Sequence, residues 1–299
     1  MPEQPNAPLS LTARLLCAAF HAYAIKVTGP APVATQPPTP PRSTLVGYVT
    51  TPQAFAVGID RIDAGLVGIT STEIVVAFRG TLPPDSPDTG QMILDWLDDC
   101  DAALVPEPGM PGLVHQGFRD ALNSLWGDMG PVLDALVKAN PTKPICFTGH
   151  SKGGAVAVLA AMRCHILYPA AKIYVCTFAA PRSGDNAFAN GYDKEITNSA
   201  RYEFQDDIVP HVPPDDFFIT MFGEVPFLAE KVKELTPGYV SVGTLHFIDW
   251  SGKLVGDSPT LRFERFTHLA HLMVEFGFKT IIADHSLDPG YALAVLGSP

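Results

Sequence analysis

A serine in a tight glycine-flanked turn, followed along the chain by an aspartate pair and a histidine-bearing loop, supplies the parts for acyl transfer. Ser151 lies in Gly149-His150-Ser151-Lys152-Gly153-Gly154, behind the apolar run Pro144 to Thr148 and ahead of the Ala- and Gly-rich run Lys152 to Leu167. A G-x-S-x-G pattern between a buried strand and a helix presents its serine on a strained turn, with the hydroxyl exposed at the carboxyl end of a sheet. A side chain in place of Gly149 or Gly153 would crowd that turn. A serine hydroxyl is a weak nucleophile and needs a histidine to take its proton and a carboxylate to orient that histidine.

Downstream of Ser151 the candidates are few. Asp206 and Asp207 follow the strand-like run Arg201 to Gln205. Adjacent residues at a strand end point to opposite sides, so only one can face the base. Asp207 is the choice and Asp206 its rival. For the base, His285 sits in the polar loop Asp284-His285-Ser286-Leu287-Asp288, after the apolar run Thr280 to Ala283. Its competitors His268 and His271 are spaced by three on a helix-like stretch, where a histidine is usually structural. His21, His115, His165, His211 and His246 are read as structural, and His268-x-x-His271 lacks the glutamate and spacing of a zinc protease.

Acyl transfer places negative charge on a carbonyl oxygen, which needs preorganised donors. One is the backbone N–H of Lys152, the residue after the nucleophile. The other is assigned to Thr81, in Phe78-Arg79-Gly80-Thr81, where a β run ends in a tight turn.

Elements that position these residues can be read from periodicity. Ser10 caps an amphipathic helix from Leu11 to about Lys26, and a Pro-rich connector spans 29–43. Four β-rich runs, 45–49, 53–59, 65–70 and 73–78, read as a meander. Phe118 to Leu136 carries a 3.6-residue apolar stripe. Strand 144–148, helix 152–167 and strand 171–178 form a βαβ unit with continuously apolar strands, the mark of a parallel sheet covered on both faces. Beyond 215 the pattern weakens: a helix is expected at 227–235, an antiparallel pair across 239–250, a helix at 263–278, and a closing element at 291–296.

The chain has 299 residues, 46% of them hydrophobic and 17% charged, and a formal net charge of −11. That describes a single globular α/β domain over 1–299 and argues against nucleic acid or anionic headgroups held by a basic face. The cysteines Cys17, Cys100, Cys146, Cys164 and Cys176 are odd in number, with neither a C-x-x-C pair nor metal-ligand spacing. No cofactor and no metal are expected. The N-terminal apolar stretch lacks a basic cluster and a small-residue cleavage site, so a cytoplasmic location is expected.

Taken together, Val76 to Thr81, Asp95-Trp96-Leu97, Val114 to Phe118, Thr148 to Ala155, Phe178 to Arg182, Asp207 to Pro214 and His285 resemble the class 3 (fungal-type) lipases and their bacterial relatives. The resemblance runs from about 74 to 291. It implies an α/β-hydrolase fold, a mostly parallel sheet with helices on both faces, and places the acid at Asp207, the base at His285 and the oxyanion residue at Thr81. It also implies a serine carboxylic ester hydrolase acting on neutral esters or acylglycerols, with a small-molecule ester or lipid as partner and at most transient contact with a lipid interface. A lid region is then expected over 82–104, with Leu82, Met92, Ile93, Trp96 and Leu97 facing substrate. The sequence departs from the fungal pattern at Lys152, where a leucine is common, which places an ammonium near the site, and at Leu82 to Gly90, a Pro- and Asp-rich stretch that makes a poor helix. Short-chain, feruloyl-type or polyester esterases, amide hydrolysis, and a non-catalytic module on the same scaffold are the alternatives.

Overall fold

A computed structural model describes residues 9–26, 33–34, 42–57, 63–81, 103–223, 238–276 and 284–296. Eight strands form the central sheet: β1 (Gln53–Val57), β2 (Asp63–Ile69), β3 (Ile74–Phe78), β4 (Ile145–His150), β5 (Ile173–Phe178), β6 (Ser199–Phe204), β7 (Thr244–Ile248) and β8 (Leu254–Val255). Their spatial order is their sequence order. β1, β2 and β3 pair antiparallel, β3 through β7 pair parallel, and β8 returns antiparallel to β7.

Alternating residues of the central strands feed two cores. Val76, Phe78, Ile145, Phe147, Ile173 and Val175 pack with α2 (Gln116–Ala139) and α3 (Lys152–Leu167), whereas Val75, Ala77, Cys146 and Cys176 pack with α1 (Leu11–Tyr23). This period of two divides each strand between layers, so the central strands β3, β4 and β5 are largely apolar on both faces. α1 starts where Ser10 Oγ accepts the Ala13 N–H at 3.1 Å, and its Leu15, Leu16, Ala18, Ala19 and Ala22 are buried. Its hydropathy therefore reflects a core helix and carries no information about compartment. Among the described residues no helix is long and apolar enough to cross a membrane.

Among the described residues the further α-helices are α4 (Asn186–Glu195), α5 (Asp216–Gly223), α6 (Pro259–Phe276) and α7 (Ala292–Leu296). A second, four-stranded sheet joins Leu104–Pro106, Leu113–His115, Gly184–Asp185 and Tyr239–Val240.

Two expectations are corrected. The run 45–49 is not a strand: Arg42–Val46 is a 3-10 turn, and Gly47, at φ 80°, breaks extended backbone before Tyr48 bridges Thr70. The stretch 239–250 is not an antiparallel pair. Tyr239–Val240 joins the small sheet, Gly243 turns the chain at φ 75° with its N–H on Asp193 Oδ1, and β7 then runs parallel to β6. The helix expected at 227–235, most of the connector, and Leu82, Met92, Ile93, Trp96 and Leu97 of the expected lid lie outside the described residues.

Candidate active site

Ser151 occupies the turn between β4 and α3 at φ 56° and ψ −137°, a left-handed conformation that a non-glycine residue adopts at a cost. Its N–H donates to Phe178 O at 3.0 Å and its carbonyl accepts the Gly154 N–H at 2.8 Å, so neighbours on both sides hold the strained backbone. The turn is too tight for side chains at the flanking glycines. A Cβ on Gly149 would lie 2.3 Å from the backbone of Gly153, and one on Gly153 would lie 2.3 Å from Phe78 O.

Asp207, just past β6, is fully buried. His285 Nδ1 lies 3.0 and 3.1 Å from its two carboxylate oxygens, Tyr291 Oη donates to Oδ2 at 2.8 Å, and the Val209 N–H donates to Oδ1 at 3.0 Å. With Nδ1 committed as donor, the free electron pair of His285 is on Nε2. Burial, and then the Asp207 charge, push the Tyr291 hydroxyl well above its ordinary range, so it stays a donor.

Ser151 and His285 are tied through His150. Tyr23 Oη donates to His150 Nδ1 at 2.8 Å, and His150 Nε2 donates to the carbonyl of His285 at 2.7 Å, with the two imidazoles 4.6 Å apart. Burial and the neighbouring His285 hold His150 well below the usual histidine range, so it is neutral and has one N–H to give. The residue before the serine thus fixes the backbone of the histidine, and α1 reaches the site through Tyr23. Tyr23, His150 and Tyr291 are residues that pattern reading missed. Tyr291 and Tyr23 leave no motif, while His150 stands inside the serine motif with no role that the pattern assigns to it.

The rival acid holds the rival histidine. Asp206 Oδ1 is 2.7 Å from His268 Nδ1, its Oδ2 accepts Trp250 Nε1–H at 2.9 Å, and its N–H donates to Asp284 Oδ2 at 3.2 Å. Asp284 is raised to about 6, by burial first and by the nearby Asp206 and Asp207 charges second.

On the oxyanion side, β3 and β4 are parallel neighbours, and a Cβ on Gly80 would come within 3.0 Å of Ser151 Cβ. The turn bearing Thr81 is therefore pressed against the serine. Lys152 opens α3, where first-turn amides have no intrahelical acceptor and the helix dipole favours negative charge. Its ammonium is ion-paired, with Nζ held by Asp63 Oδ1 at 2.5 Å and both side chains largely covered. The described cysteines Cys17, Cys146, Cys164 and Cys176 are buried and unbridged, and burial raises the Cys17 thiol to about 11.

Residues 75–217 match the class 3 lipase family. A lipase of Rhizomucor miehei is 29% identical over 221 residues, a match covering 71% of this chain and 55% of that protein. A secreted mono- and diacylglycerol lipase of Fusarium solani is 32% identical over 146 residues, covering 48% of this chain and 40% of that one. The chain thus spans about half the length of the first of these relatives and less of the second. Among solved structures, a triacylglycerol lipase whose catalytic centre is described as a serine-protease triad superposes with a TM-score of 0.60 at 21% identity, over 87% of this chain and 90% of that one. The Rhizomucor miehei triacylglyceride lipase superposes at 0.56 and 23% identity, over 80% and 78%. These likenesses establish the α/β-hydrolase fold. They also overturn the expected cytoplasmic location, since relatives from Fusarium solani and Penicillium cyclopium are named as secreted.

Proposed function

We propose that this chain, whose residues 75–217 match the class 3 lipase family, is a serine carboxylic ester hydrolase that cleaves acylglycerols through an acyl-enzyme. The observation that carries this reading is the strained Ser151 elbow, joined through His150 to a histidine whose Nδ1 is held by a buried carboxylate.

Ser151 Oγ attacks the ester carbonyl while His285 Nε2 takes its proton. The charge on the resulting imidazolium is met by Asp207, which Tyr291 and the Val209 amide keep in one orientation. The tetrahedral oxyanion is received by the Lys152 N–H at the start of α3 and by Thr81. Collapse expels the alcohol with the proton from His285, and a water activated by the same imidazole then releases the carboxylic acid. A chain of net charge −11 is repelled by anionic headgroups, so any contact with a lipid surface is transient and favours neutral acylglycerols.

The direct test is hydrolysis of emulsified triacyl- and diacylglycerols by the wild-type chain and by Ser151→Ala. Turnover by the wild type and a loss of about a thousandfold or more in the variant, with its melting temperature retained, is the expected result. Equal rates in the two proteins would refute the proposal.

A further inference from the structure

The ladder between β3 and β4 ends at the pair Phe78 and Gly149. The turns that follow, Arg79 to Thr81 and His150 to Lys152, must keep oxyanion donors and nucleophile in register without it. The end of α1 reaches both turns. A Cβ on Gly80 would lie 2.2 Å from Tyr23 Oη, 2.7 Å from His150 O and 3.0 Å from Ser151 Cβ, so the tyrosine hydroxyl, the oxyanion turn and the nucleophile form one close-packed group that only a glycine admits. Two residues beyond Tyr23, the carbonyl of Ile25 accepts Arg79 Nη1–H at 3.0 Å. The chain from Tyr23 to Ile25 thus grips the oxyanion turn at two successive residues.

The hydrogen bonds in this group have a direction. The carbonyl of His285 can only accept, so the neutral His150 gives it the Nε2–H and keeps Nδ1 as an acceptor. Tyr23 Oη must then donate to Nδ1, at 2.8 Å. Burial pushes that hydroxyl well above its ordinary range, against Arg79 and a hydrogen bond from the Gly80 backbone amide, so it keeps the proton it has to give. The run is Gly80 N–H, Tyr23 O–H, His150 N–H and His285 C=O, each group polarising the next. It starts beside Thr81 and ends on the base.

We propose that Tyr23 and His150 are positioning residues for the ester hydrolysis: the Tyr23 hydroxyl registers the oxyanion turn against the serine turn, and His150 passes that register to the backbone of His285. The end of α1, outside the residues 75–217 that match the family, is thereby part of the working site. A base or oxyanion donor displaced by a fraction of an ångström still admits substrate but stabilises the transition state less, so the hydroxyl acts on kcat and not on KM.

Steady-state kinetics on one soluble ester, with urea unfolding of the same samples, test this role. Tyr23→Phe should lower kcat about tenfold to a hundredfold and leave KM within about twofold. Phosphonylation of Ser151 should slow in proportion, because it uses the same base and oxyanion turn. Tyr48→Phe is the control: it removes a buried hydroxyl that finds no hydrogen-bond partner among the described residues, from a ring 5.8 Å from His21 on the same helix, and should keep kcat within about twofold. His150→Gln, whose amide still donates to His285 O, should retain about tenfold or more of the activity that His150→Leu loses, which tests the second link even where Tyr23→Phe does not fold. Four results would overturn the proposal: kcat of Tyr23→Phe within twofold of wild type; a raised KM at unchanged kcat, which makes Tyr23 a substrate contact; an equal loss in Tyr48→Phe, which makes the effect one of helix packing; or equal activity of the two His150 variants. The role rests on Ser151 being the nucleophile of an ester hydrolase. A wild type that turns over no ester defeats that reading as well, whereas turnover that Tyr23→Phe leaves unchanged defeats only the role of Tyr23.

Discussion

Two adjacent aspartates face different histidines from the turn after β6, which Gln205 enters at φ 38° and which the Asp207 N–H closes on Phe204 O at 2.9 Å. Asp207 enters the core and meets His285, Tyr291 and a backbone amide, whereas Asp206 turns toward Trp250 and the half-exposed His268. Removing the carboxylate charge therefore has unequal effects. Asp207→Asn leaves the shape intact but lets the imidazole take the wrong tautomer, and kcat should fall about 10⁴-fold. Asp206→Asn should lower it by less than about tenfold. Steady-state kinetics on one soluble ester compare the two, and a larger loss for Asp206 would exchange their roles. Reading alternation alone identified one inward-facing carboxylate. It gave no hint that the outward one holds a second histidine.

At the scale of elements, the serine turn exists because α3 lies almost in contact with the backbone of β3. Small residues at its start permit this, and Gly153 is the tightest point. Gly153→Ala places a methyl against the Phe78 carbonyl, where backbone cannot yield as a side chain tip would. Urea unfolding should show a loss of about 3 kcal/mol or more, with activity falling further as the elbow shifts. A variant as stable as wild type would mean that the helix can slide without cost. The βαβ unit around this turn was legible because its strands are short and apolar, its helix runs uninterrupted, and Pro and Gly mark its ends. The stretch 45–49 misled because β-branched and aromatic residues (Val46, Tyr48 and Val49) make up most of it, while a single glycine at positive φ decides its path. Tyr239 to Trp250 alternates as an edge pair would, yet the Gly243 turn divides it between two sheets, a tertiary outcome that local pattern does not encode.

Across the whole molecule, one sheet edge brings together segments far apart in sequence: Tyr23 from α1, Thr81 after β3, Ser151 after β4, Asp207 after β6 and His285 from the C-terminal loop. Chain order and strand ends made this convergence readable, whereas the hydrogen bonds through Tyr23, His150 and Tyr291 became visible only in three dimensions. The arginine cluster behind the acid loop, Arg182, Arg201 and Arg265 around Glu203, was equally hidden, since its members come from β6, α6 and the segment after β5. Its carboxylate Glu203 also couples stability to acid pH. Glu203 is lowered to about 2 against an ordinary 4.5, so its contribution is complete above the ordinary value and disappears as pH falls toward 2. Glu203→Gln should cost about 3–5 kcal/mol at neutral pH, because Arg265 and Arg201 then lack their carboxylate, and the variant should lose less additional stability on acidification. Denaturation curves between neutral pH and the acid limit measure both effects, and parallel pH profiles for the two proteins would contradict this account.

The central claim is that Ser151 is the acylated nucleophile. Its most direct test is to treat the full chain with a p-nitrophenyl alkylphosphonate, follow the intact mass and map the modified peptide. One phosphonyl group per chain, located on Ser151, formed in step with loss of esterase activity and absent from Ser151→Ala, is the predicted result. No adduct, or an adduct on another residue that accounts for the inactivation, would contradict it.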